Sequence, residues 1–345
     1  MSQGELDISV ILATYTEERW QHLVNAVQSL REQTFHVREI IVVVDGNPKL
    51  LERIRRELPD VIASENLERP GSSGAHNTGI NLAQSKLVAL LDDDATAEPD
   101  WLERLIDHVS NPKVIAAGGS SIPAWQQTKP RWFPMEFAWV VGCSYTGMPQ
   151  QAEAVRNVWA CLCARRDYLV RAGGFRADLA RVGALPTGGD ETELCIRMAE
   201  MMPQGHFIYE PHARIHHFVP LSRSQWRYFL KRCYQEGKSK ALIARYVGTR
   251  TGLQTERSYT ARILPRGILK GLGDTFLHAD IFGLVRVGAI IAGLATTAAG
   301  YLAPKPRLSK TSAIKTDGAT IESQEGVKAA DIALEQDGHS LSGHP

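Results

Sequence analysis

The apolar positions of the first hundred residues fall into short blocks separated by polar turns and amphipathic stretches. Ile8 to Ala13 is a β-rich apolar run, Thr14 to Glu18 a polar turn, and Trp20 to Gln33 carries apolar residues at helical spacing. The pattern recurs at once: Glu39 to Val44 predicts a continuous strand, Asp45-Gly46-Asn47-Pro48 a turn, and Lys49 to Leu58 a helix. Val61 to Ser64 reads as a third strand, Pro70 to Gly74 as a loop, Ala75 to Gln84 as a helix, and Lys86 to Leu91 as a buried strand that ends in three aspartates. Such alternation predicts an α/β domain built on a parallel sheet covered on both faces.

Ligands of open α/β sheets sit at the carboxyl ends of the strands, so Thr14, Asp45 and Asp92 to Asp94 are expected to converge. The second half is less regular. Val114 to Gly119 predicts a strand, the Trp- and Pro-rich Pro123 to Pro149 a long functional loop, and Val155 to Ala164 a further strand. Beyond Leu221 the pattern turns helical, with an aromatic and basic segment from Trp226 to Tyr246 and an apolar stretch from Ile281 to Leu302. From Pro304 onward hydrophobic periodicity is lost, which predicts a disordered tail over 304–345.

Composition narrows the picture little. The 345 residues can bury one sizeable core and carry an attachment, and 39 Lys and Arg against 38 Asp and Glu give no reason to expect nucleic acid as a partner. Cys143, Cys161, Cys163, Cys195 and Cys233 form no CxxC pair, which reads as buried free thiols in a reducing compartment. The N-terminal residues carry no basic and apolar leader pattern, so export is not expected.

Three consecutive carboxylates at a strand end raise one another's pKa unless a cation binds them. Asp92 and Asp94, at i and i+2, can lie on one side and ligate a hard divalent ion such as Mg²⁺ or Mn²⁺. A solvated acidic turn that caps the next helix is the other reading, and Glu98-Pro99-Asp100 suits it.

Four blocks in order resemble the inverting glycosyltransferase family 2, with its GT-A fold. They are Ile8-Ser9-Val10-Ile11-Leu12-Ala13-Thr14-Tyr15, Ile40-Ile41-Val42-Val43-Val44-Asp45-Gly46, Gly74-Ala75-His76-Asn77-Thr78-Gly79 and Leu90-Leu91-Asp92-Asp93-Asp94. The resemblance implies a Rossmann-like, mostly parallel sheet flanked by helices, and a nucleotide-sugar site. Within it Asp45 contacts the base, Thr14, Tyr15 and Glu17 line base and ribose, and Asp92 lies near the ribose or sugar with Asp93 and Asn77 beside it. Asp94 ligates the metal, with Asp92 as a further candidate ligand. His76 stands where the family often has an arginine; it can still donate a hydrogen bond, with a charge that depends on pH.

A second acidic cluster, Gly188-Gly189-Asp190-Glu191-Thr192-Glu193, resembles the family's Glu-Asp block with the two acids exchanged. Transfer to a hydroxyl needs a base within hydrogen-bond reach, and Glu191 is the first candidate with Asp190 close behind. A helix N-terminus decorated with acids is the structural alternative, and both can hold at once. Ile215-His216-His217 falls where the family often has a metal- or diphosphate-contacting histidine, so His216 and His217 join the candidate ligands, with a buried structural histidine as the other reading. Arg223 and Arg227 are candidates for phosphate contact, or an ordinary solvated helix face. Trp125, Trp132, Trp139 and Trp159 are candidates for sugar stacking, or simply core.

Ile281 to Leu302 is about the ~20 residues needed to span a bilayer. Arg286 makes a central span costly, and basic residues flank both sides: Arg262, Arg266 and Lys270 before, Lys305, Arg307 and Lys310 after. A spanning helix, an interfacial or re-entrant helical hairpin with Ile263 to Leu284 on the surface, and a helix packed on the catalytic domain all fit. The expected organisation is a catalytic domain over 1–225, with the donor half in 1–100 and the acceptor half in 101–225, then a helical, membrane-associated region over 226–303. The expected function is inverting hexosyl transfer from a UDP-sugar to a hydroxyl of a lipid-linked or growing glycan in envelope or polysaccharide synthesis. The site is expected at the cytoplasmic face of the membrane. Transfer to polyprenyl phosphate, or an inactive sugar-nucleotide-binding assembly protein, are the alternatives.

Overall fold

Strand β1 (Ile8–Thr14) alternates its side chains between two cores. Ile8, Val10 and Leu12 face α1 (Trp20–Arg31), α2 (Pro48–Glu57) and α4 (Trp101–Val109), while Ile11 packs with Ile41 and Val43 of β2 (Glu39–Val44) on the side of α3 (Ser72–Leu82). This period-2 division, with both faces apolar, is why the strands read as unbroken hydrophobic runs. The computed structural model describes residues 6–158, 161–176, 189–247 and 257–303. Trp159, Gly188 and the tail from 304, including Lys305, Arg307 and Lys310, lie outside them.

The strand order is β3 (Ile62–Glu65), β2, β1, β4 (Leu87–Leu90), β8 (Cys163–Arg165), β6 (Val114–Trp125), β9 (His206–Val219), β5 (Ala95–Ala97), with β7 (Glu153–Val155) on β9. β3, β2, β1 and β4 run parallel, as the strand–helix alternation predicts. Beyond β4 the sheet is mixed. β8 is antiparallel to both β4 and β6, and β6 pairs in parallel with the long β9. The segment expected as one strand from Val155 to Ala164 is two short strands: β7 lies on β9, and β8 lies between β4 and β6. Cys161 sits between them with a left-handed φ of 48°, a sharp break for a non-glycine residue.

The expected loop from Pro123 is shorter than its composition implied, because β6 continues to Trp125 and a 3-10 helix covers Met135–Val141. That 3-10 helix, α7 (Trp226–Val247), α8 (Leu264–His278) and α9 (Phe282–Leu302) build a third, aromatic core around Phe133, Phe137 and Phe229, all fully buried. Each such side chain contributes roughly 1.5–3 kcal/mol by leaving water. Trp125 and Trp132 belong to this cluster, edge-on to Phe133 and Phe229 respectively.

Helices α8 and α9 form a hairpin. Arg286, near the start of α9, pairs with Asp274 at 2.8 Å and Asp280 at 3.0 Å, so its charge is met within the hairpin. α9 is long and apolar enough to cross a membrane, yet one face packs on α7. A Cβ at Gly300 would meet the Tyr234 carbonyl oxygen at 2.0 Å, and one at Gly237 the Thr297 carbonyl oxygen at 2.0 Å, so this crossing requires glycine on both helices.

Candidate active site

The turns after β1 and β2 are locked together before any ligand is considered. Asn47 accepts from the Leu50 N–H at 3.1 Å, capping α2 with Pro48 at its first turn, and donates its amide to the Tyr15 carbonyl at 3.2 Å. Asp45 donates its backbone N–H to the Thr14 carbonyl at 2.8 Å. Its carboxylate accepts from the Asn66 amide at 2.7 Å and the Gly71 N–H at 2.8 Å, which draws the loop before α3 onto the end of β2. Tyr15 is exposed with Arg19 over its ring, and Glu17 is exposed with Arg53 at 3.8 Å.

The Thr14 hydroxyl donates to Asp93 at 2.6 Å, so one residue ties the Asp45 turn to the aspartate cluster. Asp93 is buried and accepts a second bond from Arg19 at 2.7 Å. Burial pushes its carboxyl up to about 6, with Arg19 opposing the rise and Asp94 adding to it. Arg19 also lies 3.2 Å from Asp94; burial works against its charge, but Asp94 and Asp93 hold it firmly protonated. Arg19 was not singled out from the sequence, where it is one charge among several in Thr16-Glu17-Glu18-Arg19.

The strand β5 (Ala95–Ala97) follows the aspartates and pairs antiparallel with β9, Ala95 opposite His217. This register brings the buried His217 Nε2 to 3.3 Å from Asp94 Oδ1 and 3.6 Å from Asp92 Oδ2. Ligand atoms of Asp92, Asp94 and His217 lie within 4.8 Å of one another, and two carboxylates with an imidazole form a donor set suited to Mn²⁺ or Mg²⁺. Arg223 stands 3.7 Å from Asp94, whereas Arg227 is exposed. His216, also expected as a ligand, is placed apart from this group. Adjacent strand residues point to opposite faces, and its Nε2 lies 3.1 Å from Glu98 instead.

Helix α6 (Asp190–Met201) starts after Gly189, whose φ of 104° turns the chain into the helix. Asp190 is buried and accepts from the Ser73 hydroxyl at 2.9 Å. Burial and the neighbouring Asp190 carboxylate push Glu191 well above the usual carboxylate range. Glu193, the third acid, is held by Arg197 at 2.6 Å and Arg176 at 3.4 Å, so it serves the fold. Asn77 also departs from its expected binding role: its amide donates to the Phe175 carbonyl at 2.9 Å and accepts the Phe175 N–H at 2.7 Å, so both ends are engaged with backbone. His76 keeps Nδ1 buried with no hydrogen-bond partner; burial lowers its pKa while Asp190 and Asp92 oppose, which favours the neutral ring.

These groups share a cavity of about 640 Å³. Asp92, His217, His76, Asp190 and Glu191 line it, together with residues of α7 and α9 and with Trp139. Two sets of acids, one at the aspartate turn after β4 and one at a helix start, therefore face the same space. The cavity can hold a charged ligand beside a metal and present a raised-pKa carboxylate to a hydroxyl.

The chain is similar to known proteins in the same segments. The profile of "Glycosyl transferase family 2" matches residues 9–173. Glucosyl-dolichyl phosphate glucuronosyltransferase of Haloferax volcanii is 34% identical over 243 residues, 69% of this chain and 77% of that protein. Succinoglycan biosynthesis protein ExoM of Rhizobium meliloti is 24% identical over 246 residues, 69% of this chain and 75% of its own length. A solved mannosyltransferase, PcManGT from Pyrobaculum calidifontis in complex with GDP-Man and Mn²⁺, superposes with a TM-score of 0.55 at 19% identity, covering 86% of this chain and 87% of that one. The family blocks, the fold they build and the 34% identity across more than two thirds of each chain identify this protein as a glycosyltransferase of family 2.

Proposed function

We propose that the protein transfers a hexosyl residue, with inversion, from a UDP-sugar to a hydroxyl of a lipid-linked or growing glycan, assisted by Mg²⁺ or Mn²⁺. One observation carries the reading: the Asp92–Asp94–His217 group adjoins the cavity that Asp190 and Glu191 line. Asp92, Asp94 and His217 would hold the divalent ion, which when bound supplies positive charge to the departing diphosphate. Arg223 stands beside Asp94, where a guanidinium can pair with phosphate oxygens. Asp45 and the Thr14 to Glu17 turn are assigned to the base and ribose by the family resemblance.

In the transfer itself, Glu191 takes the acceptor's hydroxyl proton as its oxygen attacks the anomeric carbon from the face opposite the nucleotide. The bond from that carbon to the diphosphate oxygen breaks, and its electron pair leaves with the nucleotide. A raised pKa suits Glu191 to this role, because a stronger base draws the proton further. Asp190, tied to Ser73, positions the pair. An ionised phosphate acceptor would need little help from such a base, so the two acids favour a hydroxyl acceptor over polyprenyl phosphate.

The Haloferax relative's name supports a lipid-linked acceptor, and the α8–α9 hairpin supports a site beside a membrane. Phe276, Leu277 and Ile281 at the hairpin's turn are 77%, 80% and 68% exposed, an apolar tip fitted to a lipid surface. The cytoplasmic face is assigned because nucleotide sugars are made on that side. The test is nucleotide release from a panel of UDP- and GDP-sugars with and without Mn²⁺. Metal-dependent release from one UDP-sugar is the expected result, and no release from any donor would remove the reading.

A further inference from the structure

Part of the cavity lining is built from two helical stripes. On α7, Tyr228, Arg232, Glu236 and Lys240 recur every fourth residue along one face. On α9, Leu294, Thr297, Ala298, Tyr301 and Leu302 follow the i, i+3, i+4, i+7, i+8 spacing of a single face. Arg232 and Lys240 both pair with Glu236, at 2.7 and 3.0 Å. Burial opposes the ionised form of Glu236, but Lys240 and Arg232 hold it down at about 2, so the triad carries two positive charges against one negative. Arg257 also lines the cavity.

Among the described residues this part of the lining carries more positive than negative charge, which makes an anion its natural complement. The neighbouring α9 stripe is apolar at Leu294, Ala298 and Leu302, and it reaches the surface: Leu294 is 41% and Leu302 80% exposed although both line the cavity. A ligand that suits both stripes has an anionic head joined to an apolar chain leading out along α9. We propose that the Arg232–Glu236–Lys240 face of α7 and the facing stripe of α9 form the acceptor subsite, taking the phosphate and the first apolar units of a lipid phosphate whose sugar reaches Glu191. The inference rests on the lipid-linked acceptor reading above and assigns residues to its recognition. Lys240 is the residue that sets acceptor choice. It is the more exposed of the two cations, with 24% of its side chain open against 10% for Arg232, and its flexible ammonium can meet a phosphate from the cavity side.

The experiment is equilibrium binding to the full chain of geranyl phosphate, geraniol, inorganic phosphate and UDP with Mn²⁺, for the wild type, Lys240→Gln and Lys240→Arg. Geranyl phosphate is expected to bind more tightly than either geraniol or inorganic phosphate. Lys240→Gln weakens it by about tenfold or more, the loss expected for one charge-assisted bond. Lys240→Arg restores most of the affinity, and neither substitution changes geraniol binding. Geranyl phosphate binding no better than its two halves, or falling in parallel with geraniol in Lys240→Gln, overturns the proposal. A loss confined to UDP also overturns it and assigns the wall to the donor. Should geranyl phosphate behave as stated while no donor yields sugar transfer, the subsite stands and the transferase reading falls; transfer to an alkyl glycoside without geranyl phosphate binding sinks the subsite alone.

Discussion

Ser73 donates its hydroxyl hydrogen to the Asp190 carboxylate at 2.9 Å, joining the first turn of α3 to the first turn of α6. The bond occupies Asp190 with a structural partner and leaves Glu191, the next residue, on the cavity wall. In the proposed reaction the two acids divide the work: Asp190 sets position and raises its neighbour's pKa, and Glu191 is assigned to the acceptor.

Glu191→Gln is expected to lower turnover by about 10²–10⁴-fold, the usual share of a general base, while UDP still binds. Nucleotide release under saturating donor and acceptor, set beside equilibrium UDP binding, measures both. Undiminished turnover moves the base elsewhere.

The pH profile follows from the raised pKa of Glu191. Only the ionised carboxylate accepts a proton, so kcat/KM rises with pH, and its acid limb lies above the range of an ordinary glutamate. Asp190→Asn removes the charge that helps lift Glu191 and shifts that limb to lower pH. Stability runs the other way. A folded pKa above the unfolded value contributes stability at pH below the ordinary glutamate range, and that contribution is lost as pH rises through the folded value. Glu191→Gln therefore raises the Tm at neutral pH relative to wild type; a lower Tm there contradicts the assignment.

Removing one carboxylate tests the metal group. Asp94→Ala is expected to abolish Mn²⁺-dependent tightening of UDP binding, and His217→Ala to weaken it. His216→Ala leaves it unchanged, because that side chain lies on the other face beside Glu98. Titration of Mn²⁺ at fixed UDP separates the three, and an equal loss in His216→Ala and His217→Ala would show that β9 is registered differently.

Gly300→Ala places a methyl where the Tyr234 carbonyl stands and forces α7 and α9 apart. Overpacking of this kind costs about 1–3 kcal/mol, read as a fall in Tm. An unchanged Tm would mean the two helices do not cross at Gly237 and Gly300.

The hairpin tip makes a separate prediction. Replacing Phe276, Leu277 and Ile281 together by serine removes about 1.5–3 kcal/mol of burial per side chain that enters lipid, so co-sedimentation with anionic vesicles falls steeply while soluble UDP binding persists. Equal co-sedimentation of the variant would take the tip out of the membrane contact.

Much of this protein was determined by local pattern. The strand runs at Ile8, Glu39 and Leu87, the capped turn at Asn47-Pro48, the triple-aspartate strand end and the apolar length of Phe282–Leu302 all follow from neighbouring residues, since periodicity and turn chemistry are properties of adjacent positions. The Arg232, Glu236 and Lys240 spacing is equally visible along the chain, but its meeting with Leu294 and Ala298 is not. Tertiary structure alone decided which side chains share a space: that His217 and not His216 joins Asp94, that Asn77 serves Phe175, that Arg19 clamps Asp93, and that the segment from Val155 divides between two places in the sheet. Each of these depends on a strand register or helix crossing between distant parts of the chain. A one-residue change of register reverses which face a side chain occupies, and nothing in its immediate neighbours records that choice.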